Sequence, residues 1–287
     1  MHYRNILAKF DELVARESIF YTCPQLTTLT DNGFEFQFAV SPILGAKPLA
    51  QELGLPDQPR DLPARFFGPG SDIGFDAEML LETVNDTHLL VFNKFSVFRP
   101  QLLLLTADSY RRQTEPLDEA DFAATLSVLQ ELSGSGESYY AFFNCGVASG
   151  SSRRHKHMQV VPTASRTLFP DVPTAEMAVP YGHLVGHISD VDKATTQASH
   201  AALVYASMLD QARTRWGLEE NFPHNVVWTT SWIVVIPRRQ VRFEGINVPN
   251  AAGMMGSVWV PEEGHVETWR RLGPRSVLAQ SGYSEDL

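Results

Sequence analysis

Two β-prone runs joined by a loop of small residues place the tightest constraint on how this chain folds. YYAFFNCG at 139–146 and HKHMQVVP at 155–162 read as neighbouring strands, the second closed by Pro162. Between them lies Ala148-Ser149-Gly150-Ser151-Ser152. Side chains alternate across a strand, so His155, His157 and Gln159 share one face and Lys156, Met158 and Val160 the other. Aligning two imidazoles and an amide on one face of a buried strand is costly unless each finds a partner.

The surrounding pattern predicts an α+β fold built on an antiparallel sheet with flanking helices. Residues 5–17 read as a helix with Ile6, Leu7, Phe10, Leu13 and Val14 on one face. Phe34, Phe36 and Phe38 alternate with Glu35 and Gln37, the period of a half-buried strand. Residues 41–78, rich in Pro and Gly, read as a long irregular connection that could serve as a substrate-facing flap. Strands are expected at 88–98 and 101–106, with Arg99-Pro100 as the turn between them. Asp118 is placed to cap a helix reaching about 132, with Asp121 bonding back to it. Residues 163–195 read as irregular, 196–215 as a helix, and 225–228, 232–236 and 255–260 as strands. The closing GYSEDL is expected to fray. In domain terms, 1–165 form the core with its N-terminal helix, and 166–287 complete the same compact unit.

Composition narrows the function. The chain has 287 residues and a net charge of −10, which argues against broad contact with nucleic-acid backbone. A small anionic ligand in a local pocket is still compatible. Two cysteines, Cys23 and Cys145, give no disulfide framework and suit a reducing, cytoplasmic setting. No apolar run approaches the ~18 residues of a membrane span. No GxGxxG or GxxxxGK[ST] pattern is present.

Three chemistries fit the histidine strand. It can hold two satisfied structural histidines. It can contribute to a metal site, although no array of further Cys or His ligands is visible beyond His183 and His187. Or one imidazole can act as a nucleophile while its second nitrogen is pinned by a hydrogen bond. The preceding loop favours the last, because backbone N–H groups and hydroxyls on such a turn can cradle a phosphate. Arg153, Arg154 and Lys156 add positive charge there in an acidic protein.

The stretch 139–162 resembles the diadenosine tetraphosphate phosphorylase (ATP adenylyltransferase) family of the histidine-triad (HIT) superfamily. Asn144, Gly146, Ser149, Gly150, Ser152, His155, Lys156, His157, Gln159 and Pro162 fall on its pattern. THLLVFNKFSVFRPQLLLLT, VPYGHLVGHI, HNVVWTTSWIVVIPRR and NVPNAAGMMGSVWV resemble its other segments in the same order. The likeness runs from about residue 34 almost to the end. Two departures stand out. Arg153-Arg154 replaces the family's Gln-Pro, and RFFGPGSDIGF at 65–75 is a poor match to its NPF-x-PP segment.

The resemblance implies a HIT-like sheet with a C-terminal elaboration and a reaction in which His157 carries the nucleotidyl group. His155 would orient its neighbour or touch the phosphates, and Gln159 would donate to non-bridging oxygens. Asn93, Asn144, Ser149, Gly150, Ser151, Ser152, Arg153 and Lys156 would contact substrate, and Lys47 matches a lysine directed at the polyphosphate. The implied partners are a dinucleoside polyphosphate and inorganic phosphate. Neither nucleic acid nor membrane is implied. The only cofactor it allows is a divalent cation such as Mg2+ accompanying the substrate. Rival readings are a hexose-1-phosphate uridylyltransferase, opposed by Lys156 where proline is usual, and a dinucleotide hydrolase, opposed by Gln159. A non-catalytic nucleotide sensor is the third. Arg238 and Arg239 read as a solvated strand end, while His183 falls on the family pattern but fits a structural role at least as well.

Overall fold

The structure is a computed structural model that describes residues 3–46, 67–74, 76–134, 136–164, 167–172, 179–189 and 196–285. In chain order the elements begin with α1 (Tyr3–Ala15), β1 (Phe20–Tyr21), β2 (Gln25–Asp31) and β3 (Phe34–Val40). Next come β4 (Leu80–Val84), β5 (His88–Phe92), β6 (Phe95–Ser96), β7 (Leu102–Thr106) and α2 (Glu119–Ser133). Then follow β8 (Tyr139–Cys145), β9 (His157–Pro162), β10 (Leu184–His187), α3 (Gln197–Trp216), β11 (His224–Trp228) and β12 (Trp232–Pro237). The chain closes with α4 (Ala251–Met254), β13 (Ser257–Val260), α5 (Glu263–Leu272) and α6 (Pro274–Ser281).

The expected antiparallel sheet is present. Among the described residues it has eight strands in the order β10-β12-β11-β8-β9-β7-β5-β4, and each adjacent pair is antiparallel. β9 sits between β8 and β7 in the middle of the sheet. On one face Ala141, Phe143, Met158, Val160, Val226 and Trp228 join α1, α2 and α3 in a single apolar cluster. Phe10 of α1 is fully buried and meets Phe92 edge-on at 5.6 Å. On the opposite face Tyr140, Phe142, Val161 and Val227 pack with Phe36, Phe38, Met254 and Trp269. These last come from a second sheet of order β13-β3-β2 and from α4 and α5. Further along that same face, Leu103, Leu105 and Val91 pack with Phe67 in a smaller cluster. His157 pairs with Leu105 and Gln159 with both Leu103 and Phe142. The two polar residues therefore interrupt this face between its two apolar clusters.

Several expectations shift. β10 lies in the stretch read as irregular, because Gly186 obscures its pattern. A Cβ on Gly186 would come within 2.4 Å of Val204 on α3, so the helix needs glycine there. The terminal GYSEDL does not fray over its described part. The Tyr283 carbonyl accepts from Gly182 N–H at 2.7 Å, and the Ser284 carbonyl from Trp216 Nε1 at 2.9 Å. Of the long connection, Pro42–Ala46 and Ala77–Met79 form short 3-10 turns, while residues 47–66 lie outside the described residues. No described helix is long and apolar enough to cross a membrane. Phe10→Ala should lower unfolding free energy by ~3–5 kcal/mol in urea denaturation, as an unfilled aromatic cavity does. A loss below about 1 kcal/mol would mean that α1 is not part of the core.

Candidate active site

His157 opens β9, and its geometry begins in the backbone. Its N–H donates to Gln113 Oε1 at 2.8 Å, while Gln113 Nε2 donates to the His157 carbonyl at 3.0 Å and to the Asn144 carbonyl at 3.1 Å. The ladder between β8 and β9 stops at Phe142 and Gln159, and the Gln113 side chain takes over where the strands part. The imidazole then donates Nδ1–H to the carbonyl of His155 at 2.7 Å. A carbonyl can only accept, so the neutral ring carries its lone pair on Nε2.

His155 precedes β9, and its ring is fully buried. Nε2–H donates to the Thr106 carbonyl at 2.9 Å, and Nδ1 accepts from the Ser71 hydroxyl at 2.8 Å. Burial pulls its pKa down to about 4. The Asp72 carboxylate accepts from the N–H groups of Arg154 and His155 at 2.8 and 3.0 Å. His155 thus orients His157 through its carbonyl, while its own ring is held inside the protein by Ser71 and Thr106.

Gln159 lies two residues along the same face, about 7 Å from His157 by strand rise. It borders a cavity of about 250 Å³. Asn93, Gly150, Ser152 and Arg153 also line this cavity, and Trp259, Pro261 and Trp269 form an apolar wall. Gly150 has φ +87°, and a Cβ there would come within 2.7 Å of Asn250 Cα. Only glycine lets the small-residue loop close against the N-cap of α4. Asn93 makes both the turn and the cavity, because its Oδ1 accepts from Phe95 N–H at 3.0 Å.

Other expected contacts are corrected. Lys156 does not line the cavity. Its Nζ is buried on the helix-covered face, donating to Asp121 Oδ2 and the Pro116 carbonyl, each at 2.6 Å. Asp121 also accepts from His88 Nε2 at 3.0 Å and closes the capping box with Asp118. Although burial opposes it, hydrogen bonds from His88 and Lys156 and the lysine charge bring the Asp121 pKa down to about 2. Ser149 is fully buried and donates its hydroxyl to the Gly146 carbonyl at 2.6 Å, and Ser151 donates to the Arg153 carbonyl at 3.1 Å. Asn144 Oδ1 accepts from Ala251 N–H and Asn225 Nδ2, both at 2.8 Å, leaving only its Nδ2 to reach a ligand. Arg238 is not a solvated strand end. It is 2% exposed and donates to the Pro249 carbonyl at 2.7 Å, the Ser281 carbonyl at 3.0 Å and Asn225 Oδ1. Arg239 is exposed. Lys47 lies outside the described residues.

His183 bonds the Tyr181 carbonyl and packs edge-on against Phe169. It lies just ahead of β10, which ends at His187 and is three strands away from β8. No group of three or more His, Cys, Asp or Glu among the described residues could hold a metal. Sequence reasoning missed Gln113, Asp72, Ser71 and Asn225, which brace the site from outside its motif.

Two family models match this chain. The Ap4A phosphorylase N-terminal domain covers residues 65–179, and the ATP adenylyltransferase C-terminal domain covers residues 177–284. The chain belongs to this family. Protein APA1 of Saccharomyces cerevisiae is 28% identical over 200 residues, 61% of either chain. The same yeast's diadenosine tetraphosphate phosphorylase 2 is 27% identical over 209 residues, 62% of this chain and 63% of its own. The match thus spans about three fifths of each curated relative. In fold, the chain resembles the crystal structure of yeast Ap4A phosphorylase Apa2 in complex with Ap4A. The TM-score is 0.77 at 21% identity, covering 99% of this chain and 98% of that one. The complex of Apa2 with AMP gives 0.74 at 23% identity, with the same coverage.

Lys156→Ala should cost ~3–5 kcal/mol in denaturant unfolding, because it strands a buried carboxylate. A loss below about 1 kcal/mol, the usual value of an exposed pair, would contradict the burial of this contact. A second expectation concerns acid. His155 and His224 are both held near 4 by burial, so between about pH 6.5 and 4 the unfolded chain binds protons that the folded chain refuses. Stability is whole above about 6.5 and falls as the pH drops toward 4. A melting temperature that stays flat from pH 7 to 4.5 would contradict two buried neutral rings.

Proposed function

We propose that this chain is an adenylyltransferase that phosphorolyses diadenosine tetraphosphate to ATP and ADP through a covalent adenylyl-His157. The observation that carries the reading is the His157 Nδ1–H bond to the His155 carbonyl at 2.7 Å, which puts the nucleophilic lone pair on Nε2, two residues along the strand from Gln159 at the donor-lined cavity. Family membership and the likeness to yeast Apa2 bound to Ap4A support the substrate.

In the first step Nε2 attacks an α-phosphorus of the dinucleotide. A P–N bond forms, the P–O bond to the β-phosphate breaks, and ATP leaves with that electron pair. In the second step an oxygen of inorganic phosphate attacks the same phosphorus. The P–N bond breaks, its electrons return to Nε2, and ADP leaves. Splitting the transfer in two is what a covalent nucleophile contributes. The Gln159 amide donates to the non-bridging oxygens without adding a titrating group. The Asn93 and Asn144 amides and the loop at Gly150 and Ser152 orient the nucleotide, and Arg153 supplies charge to the phosphates. The tryptophan wall takes the base. The two cysteines, one exposed and one buried, are both free, in keeping with a reducing compartment such as the cytoplasm.

With labelled phosphate and the dinucleotide, labelled ADP should form with ping-pong kinetics. His157→Ala should reduce turnover by at least ~10³-fold, on the scale seen when a covalent nucleophile is removed. Hydrolysis without phosphate incorporation would overturn the phosphorylase reading. Tight nucleotide binding with no turnover would favour a sensor.

A further inference from the structure

The orientation of the Gln159 amide is decided by a residue that touches neither the nucleophile nor the loop. Gln101, 1% exposed, sits just ahead of β7. Its Oε1 accepts from Val97 N–H at 2.8 Å. A backbone N–H can only donate, so the Gln101 side chain is seated oxygen toward Val97 and nitrogen away. That nitrogen donates to Gln159 Oε1 at 2.9 Å. The Gln159 oxygen is thereby engaged. Its NH2 has no partner among the described residues, and Gln159 borders the cavity. The direction of both bonds follows from the obligate donor at Val97.

We propose that Gln101 is a positioning residue. The relay from Val97 N–H through Gln101 holds Gln159 so that its two N–H donors, not its carbonyl oxygen, face the transferring phosphoryl group. This rests on the reading of Gln159 as the donor to that group. Turned by 180°, the same amide would set an oxygen lone pair against developing negative charge, in a site where water screens poorly. A glutamine carries both polarities on one end. Its usefulness to an oxyanion depends on a neighbour that selects between them.

Gln101→Glu separates this role from simple packing. The carboxylate matches the amide in size and still accepts from Val97, but it has no hydrogen to give Gln159. Gln159 then turns its NH2 toward Glu and its oxygen to the cavity. The turnover number for phosphorolysis should fall about 10²-fold, as on losing one oxyanion donor, with KM little changed. Gln159→Ala alone should cost a similar factor, and adding it to Gln101→Glu should cost almost nothing more. Should Gln101→Glu destabilise the fold, Gln101→Met provides a neutral variant that leaves the amide undirected and should still lower turnover. Wild-type turnover in the Gln101 variants, or a full penalty for Gln159→Ala in the Gln101→Glu background, would overturn the proposal. Nuclear magnetic resonance of 15N-glutamine side chains reads the same geometry without turnover. The Gln159 NH2 protons should exchange rapidly with water in the native protein, and one should become protected in Gln101→Glu. No change in protection would overturn the relay. A protected proton in a protein that fails to phosphorolyse the dinucleotide would uphold the relay and fault the reaction assigned.

Discussion

The hydrogen bond from the His157 imidazole to the carbonyl of His155 is the contact on which the rest of the site depends. It joins His157 to the residue two before it at 2.7 Å, so its geometry is only as good as the strand's own position. Much of the surrounding architecture serves that position. Gln113 clamps the His157 backbone from both sides, Asp72 holds the two N–H groups ahead of it, and the His155 ring is locked between Ser71 and Thr106. None of these groups has to meet a substrate. A nucleophile that must be aligned with a phosphorus gains from such rigid support, because proximity and orientation make up a large share of the barrier reduction.

The opposite face of β9 provides the anchor. Lys156 points away from the cavity into an ion pair with Asp121, which in turn caps α2 and holds His88. The strand is thus tied to the helix layer by one buried charge pair and by the packing of Met158 and Val160. On the cavity face, Asn225 joins Arg238, Asn144 and the Ser149 carbonyl. This links the C-terminal strands to the small-residue loop, so the loop's shape depends on residues more than seventy positions downstream.

The fold was legible where periodicity was clean. The amphipathic α1, the alternating phenylalanines of β3 and the Asp118 cap each carry a local signal that packing did not override. β10 was hidden, because Gly186 weakens a strand pattern and its need for glycine arises from α3. At the site, the motif and its alternation located His157 and Gln159. Side-chain direction was harder to read. Lys156, Ser149 and Ser151 lie in the motif and would suit a phosphate, yet each is turned into the protein by partners remote in sequence or by its own turn. Arg238 read as solvated because no sequence pattern shows which carbonyls surround it. Gln113 had no signal, since its work is to replace a ladder bond that only the assembled sheet lacks.

The central claim is that the nucleotidyl group passes through His157, and stereochemistry at phosphorus tests it directly. A dinucleotide made chiral with sulfur at the attacked α-phosphorus should give adenosine 5′-O-(1-thiodiphosphate) of retained configuration, because two in-line displacements each invert the centre. Inverted product would mean that phosphate attacks the substrate in one step, and that His157 never carries the nucleotide.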